Sequence, residues 1–233
     1  MKRSEEIAAA LRRHGADPGA AAVLERVLEA LEREPDPHST VRVADFVDVH
    51  VADSLAGLAV QPLREATAIA DVGAGAGFPG LVLAAVLTRA RVDLIESASR
   101  KVALMERLAA AGELRNARAV AARAEEWGAG EGREAYDAVT ARAVGPLAVL
   151  AEYAAPLLCF GGVLVAWKGQ RDDAEEDAGA AAAERLGLEP RVALPVAPYE
   201  GSRSRHLHVY EKVAETPPGF PRRPGMAVKR PLA

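Results

Sequence analysis

The chain has 233 residues, half of them hydrophobic and only 4% aromatic, with a net charge of -4. That length fits one large α/β domain or a core with a small appendage, and the Ala-, Val- and Leu-rich apolar mass suits helices packed on a Val-rich sheet. A single cysteine, Cys159, excludes an internal disulfide and a thiolate zinc site and points to a reducing compartment, and no run of about 18 uncharged apolar residues exists to span a bilayer.

Residues 1–10 carry both charges and no long apolar run, which predicts no signal peptide and a cytoplasmic location. Helical apolar spacing predicts helices over 4–14 (Ile7, Ala8, Leu11) and 18–33 (Leu24, Val27, Leu28, Leu31), with Asp17-Pro18 as cap and first turn. Pro35-Asp36-Pro37 breaks the pattern, and a short helical stretch over 45–58 completes a helical preface taken as residues 1–60. From Thr67 onward the pattern alternates. Strands are predicted over 67–71, 92–96, 117–122, 136–141 and 162–167, with helices over 79–87, 100–111 and 146–157 and a helical turn at 125–127. The acidic stretch 172–186 reads as a helix whose solvated first-turn acids suit the helix dipole. Strands over 191–194 and 206–213 then pair antiparallel, because no helix joins them. The expected fold is α/β: a Rossmann-like, mostly parallel seven-stranded sheet with a C-terminal antiparallel strand and an N-terminal helical extension. Its body is placed at 61–215, which leaves 216–233 as a basic tail.

Chemistry concentrates in Asp71-Val72-Gly73-Ala74-Gly75-Ala76-Gly77-Phe78-Pro79-Gly80, at a predicted strand-to-helix turn. Glycines there let the backbone approach a ligand where a Cβ would collide, and Gly73, Gly75 and Gly77 supply that clearance; tight packing alone is the competing explanation. The run from Gly75 to Gly80 also satisfies the G-x-G-x-x-G dinucleotide fingerprint, so it fits two cofactors. Asp71 can accept hydrogen bonds or balance the ammonium and sulfonium of S-adenosylmethionine where a pyrophosphate would be repelled, although it could instead cap the next helix. Glu96 ends the following strand, where one carboxylate can take both ribose hydroxyls of either nucleoside. A dehydrogenase usually needs a substrate domain as well, for which little chain remains. The balance favours an S-adenosylmethionine-dependent methyltransferase over a NAD-binding oxidoreductase.

Taken in order, residues 71–81, Leu94-Ile95-Glu96-Ser97 with Arg100-Lys101, Arg123-Ala124-Glu125-Glu126, Thr140-Ala141-Arg142-Ala143 and Trp167-Lys168-Gly169 resemble the RsmG family, also called glucose-inhibited division protein B. The resemblance runs from about residue 50 to the C-terminus. It implies a class I methyltransferase fold and methyl transfer from S-adenosylmethionine to N7 of one guanosine in the 530 loop of bacterial 16S rRNA. It also implies that Gly73 and Phe78 border the methionine and adenosine portions of the cofactor, that Ala124 and Glu125 lie beside the adenine, and that Arg142 lines the catalytic edge. His50, Asp53, Ser54 and Leu55 are similar to the family's H-x-x-D-S-L stretch, and 221–225 and 229–232 to its tails, whereas Ser39-Thr40-Val41 departs from its pattern. The implied partner is 16S rRNA in the small ribosomal subunit or a precursor, with the chain expected as a monomer.

Guanine N7 carries a lone pair that is free at neutral pH, so methylation there needs in-line placement and no general base. Consistently, the fourth strand ends in Arg142-Ala143-Val144-Gly145 rather than an Asn/Asp-Pro-Pro-aromatic motif, and Cys159 lies in no Pro-Cys pair. Arg142 is the candidate for orientation, its planar fork donating to the cofactor carboxylate or guanine O6, with a surface salt bridge as the alternative. Lys168, Arg203, Arg205, Arg222 and Arg223 are candidate RNA contacts, with His206 beside Arg203 and Arg205 on a rim that could equally be a solvated loop. From Pro217 the tail holds four cations and no acid, and a frayed, solvated terminus is its other reading. The five histidines show no metal-ligand spacing, so no metal is expected. Methylation of a small molecule or a protein is the alternative activity.

Overall fold

The computed structural model describes residues 3–36 and 41–232; Ser39 and Thr40 of the divergent stretch fall outside them. Helices α1 (Arg3–Arg13) and α2 (Ala21–Arg33) open the chain. The expected helix from residue 18 starts as a 3₁₀ turn, Pro18–Ala20, because Asp17 accepts from Gly19 N at 2.8 Å and tightens the entry. The next stretch winds in short pieces: a 3₁₀ turn (Val43–Asp45), a π-helical segment (Phe46–Ala52), α3 (Asp53–Leu55), a second 3₁₀ turn (Ala56–Ala59) and α4 (Gln61–Glu65).

Seven strands follow, β1 (Ala68–Val72), β2 (Arg91–Glu96), β3 (Ala117–Ala121), β4 (Tyr136–Arg142), β5 (Leu158–Lys168), β6 (Leu188–Val196) and β7 (Arg205–Lys212), in the order β3-β2-β1-β4-β5-β7-β6. The first five run parallel, and β7 lies antiparallel between β5 and β6. Between them run α5 (Gly80–Val86), α6 (Ser99–Gly112), α7 (Ala124–Ala129), α8 (Leu147–Ala154) and α9 (Asp173–Leu186), and α10 (Met226–Lys229) ends the chain. The expected order and type of every element hold. β6 is longer than the predicted 191–194 and includes Pro190 and Pro195. It is an edge strand, where a residue without an N–H costs no ladder bond on the open side.

Alternation divides the interior into two layers. Along β5, Val163, Val165 and Trp167 join one apolar cluster and Leu164 and Ala166 the other, as a period of two requires. The first layer holds α1, α2, α5, α6 and the winding stretch; the second holds α7, α8, α9 and the tail. In the preface, Leu11, Leu24, Leu28 and Leu31 are fully buried, each worth roughly 2 kcal/mol of transfer free energy.

The tail corrects the reading of a frayed terminus. Ala227 and Leu232 are buried, Phe220 packs on the second layer, and Arg222 pairs with the fully buried Glu152 of α8. The segment has too few apolar residues for a core of its own, but it completes a layer already assembled by other elements. Among the described residues no helix is long and apolar enough to cross a membrane.

Candidate functional site

The loop after β1 sits at the carboxyl ends of the parallel strands, where open α/β sheets place their ligand crevices. Gly73, Gly75 and Gly77 have φ of +64°, +61° and +95°, which side chains rarely tolerate. Their surroundings separate their roles. A Cβ on Gly77 would lie 2.4 Å from Leu81 Cδ1, so this glycine serves packing. A Cβ on Gly75 would meet only the Gly73 carbonyl oxygen at 3.8 Å, which leaves clear space on that side of the loop.

Asp71 differs from its expected place at the ligand. It has no exposed surface: one carboxylate oxygen accepts from Gly80 N at 2.9 Å and the other from Thr140 Oγ1 at 2.9 Å. It ties the N-terminus of α5 to the sheet, so the helix-capping alternative describes its geometry. Burial pushes its pKa up to about 6, with the two hydrogen bonds acting in the opposite direction.

Beside the loop a cavity of about 140 Å³ is lined by Gly73, Glu96, Ala124, Glu125, Val144 and Tyr153 among others. Glu96 is held ready there, accepting from Gly75 N at 3.2 Å and Ala98 N at 2.9 Å, with Lys101 Nζ 3.7 Å away. Glu125 is 4% exposed and accepts from Gly225 N of the tail at 2.7 Å. Phe78, expected beside the cofactor, does not line this cleft. It is buried in the other layer, stacked on His50 with centroids 4.3 Å apart and planes 15° from parallel. Burial, helped by the Arg142 charge, lowers the His50 pKa to about 3, so its ring is neutral.

A second cavity, of about 220 Å³, is lined by Asp53, Arg142, Trp167, Lys168, Arg205 and His206 with neighbouring backbone. The π-helical turn gives way to α3 at Asp53, whose N–H donates back to the Asp48 carbonyl, and the carboxylate then meets β4. Arg142 Nη1 donates to Asp53 Oδ2 and the Val49 carbonyl, both at 2.9 Å. Trp167 Nε1 donates to the Asp53 carbonyl at 2.8 Å, and Arg205 Nε stands 3.8 Å from Asp53 Oδ1. Ala143 has φ +58°, and this bend sends Val144 to the first cavity while Ala143 and Gly145 line the second. One short loop is their common wall.

The cationic candidates divide. Lys168 is spent on Glu175 at 2.5 Å and the Gly145 carbonyl at 3.2 Å, and Arg222 on Glu152, so neither is a free phosphate contact. Glu175 and Glu176 are correspondingly paired, with Lys168 and Arg171, rather than solvated at the start of α9. Arg203 and Arg223 are exposed with no side-chain partner among the described residues. Sequence reasoning assigned no site role to Asp53, Trp167 or Tyr153, whereas His206, a candidate for the RNA rim, lies at the second cavity. The quoted His50-to-Leu55 and Trp167-Lys168-Gly169 stretches were the available signals for Asp53 and Trp167; Tyr153 sits in the largely apolar α8 and leaves no local pattern.

The family described as rRNA small subunit methyltransferase G matches residues 35–197. A protein of Pelotomaculum thermopropionicum called ribosomal RNA small subunit methyltransferase G is 43% identical over 186 residues, 78% of this chain and 77% of that one. Its namesake in Rubrobacter xylanophilus is 43% identical over 191 residues, 78% and 72% of the two chains. Among solved structures, Aeropyrum pernix fibrillarin, with natively bound S-adenosyl-L-methionine, shares the fold at a TM-score of 0.53 and 19% identity, over 68% of this chain and 72% of that one.

Proposed function

This chain belongs to the rRNA small subunit methyltransferase G family, an S-adenosylmethionine-dependent class of enzymes, and on that premise we propose that it methylates N7 of a guanosine in the 530 loop of 16S rRNA. The observation that carries the reading is the wall shared by the two cavities: Val144 on the nucleoside side, Ala143 and Gly145 on the basic side. A methyl donor in the first cavity and a base in the second would meet across that loop.

The residues present fit the cofactor. The open side of Gly75 admits close backbone approach, Glu96 is fixed where ribose hydroxyls would donate to it, and Ala124 and Glu125 flank the space for adenine. When bound, S-adenosylmethionine supplies an activated methyl on its sulfonium. Asp71 acts from beneath by holding the start of α5, and Phe78 by packing with His50 against the first layer.

For the base, Arg142 is the orienting residue. Its Nη1 is anchored to Asp53 and Val49, while Nε and Nη2 have no protein acceptor among the described residues and are left to donate to guanine O6 or to the cofactor carboxylate. N7 needs no proton removed, so positioning at near-attack distance carries the rate. The Asp53 carboxylate is neutralised by Arg142 and Arg205, and His206 Nδ1 is engaged with the Gly169 carbonyl at 2.9 Å; the cavity is built to hold a base. Arg203 and Arg223, exposed and without a side-chain partner among the described residues, are the phosphate contacts this reading retains, and Arg205 is committed to Asp53.

Mass mapping of 16S rRNA from cells with and without the gene tests the reading. N7-methylguanosine in the 530 loop should disappear with the gene, and its persistence refutes the assignment.

A further inference from the structure

The basic C-terminal segment has the composition of an RNA tail, yet two of its strongest contacts point inward to the nucleoside cleft. Gly225 N donates to Glu125 Oε1 at 2.7 Å, and Glu125 lines that cleft from the first turn of α7. Arg222 grips Glu152 through both carboxylate oxygens, Nε to Oε1 at 2.7 Å, and the next residue of α8, Tyr153, lines the same cleft. Leu232 buries in the second layer, and α10, with Ala227 buried, packs on α8. The segment thus ties together, from behind, the two helices that form one wall of the cleft.

That wall needs the support. α7 has six residues, too few for a helix to hold its shape without tertiary contacts, and its first turn carries both Ala124 and Glu125. Glu152 has no exposed surface, and Arg222 is the cation that compensates its charge. We propose that residues 217–232 form a clasp on the cofactor site, and that Arg222 is a positioning residue for cofactor binding rather than an RNA contact. The inference rests on the methyltransferase reading above. Linkage makes the effect mutual: if the docked clasp tightens the cofactor, the cofactor tightens the clasp by the same factor.

Calorimetric titration of the full chain with S-adenosylhomocysteine tests this. Arg222→Ala should weaken binding by about tenfold or more, within the range of ordinary coupling energies, with Arg222→Lys intermediate and Lys229→Ala, which removes an exposed cation of the same segment, unchanged. In turnover, Arg222→Ala should raise KM for S-adenosylmethionine while leaving kcat at saturation near wild type, the signature of lost binding alone. On the wild-type protein, which needs no variant to fold, S-adenosylhomocysteine should slow hydrogen exchange at the Gly225 amide. Equal affinity of Arg222→Ala and wild type, or Gly225 exchange unaltered by bound ligand, overturns the clasp while leaving the enzyme assignment intact. Failure of the wild type to bind S-adenosylhomocysteine overturns both.

Discussion

Arg142, the last residue of β4, donates from Nη1 to Oδ2 of Asp53 at 2.9 Å, across 89 residues of sequence. Both side chains are largely buried, at 16% and 7% exposed, and Trp167 holds the Asp53 backbone from the neighbouring strand. The fork is therefore fixed before any substrate arrives. Arg142→Lys keeps the charge but loses the planar fork, and turnover on small ribosomal subunits should fall by on the order of 100-fold, as misplacement of a reacting group implies. Asp53→Asn should cost less turnover but lower the thermal midpoint, because it leaves Arg142 without its anion. Single-turnover rates and melting curves separate the two.

The glycine loop yields a contrast between neighbours. Gly75→Val projects into clear space and should abolish S-adenosylhomocysteine binding in calorimetry, while the protein, although destabilised by a branched side chain at φ +61°, still melts cooperatively. Gly77→Val drives a side chain into Leu81 and should destabilise the fold by about 1–3 kcal/mol, read from denaturant unfolding. Equal binding by Gly75→Val and wild type would remove the loop from the cofactor site.

Two buried groups give opposite pH signatures. His50 has a folded pKa of about 3 against an ordinary 6.5, so the unfolded chain takes up its proton first and stability is lost as pH falls through that window. Asp71 has a folded pKa of about 6 against 3.8, so the folded state binds more protons there; its contribution is fully present below 3.8 and is lost as pH rises towards 6. In urea titrations between pH 4 and 6, His50→Phe should reduce the acid loss of stability and Asp71→Asn should steepen it. Shifts of the same sign in both variants would contradict the assigned burial effects.

Paired and unpaired cations should differ in salt dependence. Arg203→Ala removes an exposed, unpartnered charge and should reduce the slope of log K against log salt for an rRNA fragment by about 1. Lys168→Ala removes a charge already neutralised by Glu175 and should leave that slope unchanged. Binding isotherms at several salt concentrations decide.

Local pattern carried most of the architecture. The alternation of strand-like and helical runs from Thr67 onward marked the sheet and its helices, helical spacing marked α1 and α2, and the glycines ahead of Pro79 marked the loop, because each is a property of one local segment. β6 was read short, and its full length, prolines included, is allowed by a place at the sheet edge that local pattern does not show.

By itself, then, the sequence determined the order of elements, the site of the loop and the position of Glu96 at a strand end beside it. Only the tertiary structure decided what the charged residues do. Asp71 turned from the ligand to Gly80 and Thr140, Lys168 was taken by Glu175, and Arg222 by Glu152 at a separation of 70 residues. A buried charge must find a partner wherever the fold brings one, and that choice is made in three dimensions, between residues whose neighbours in sequence say nothing about it.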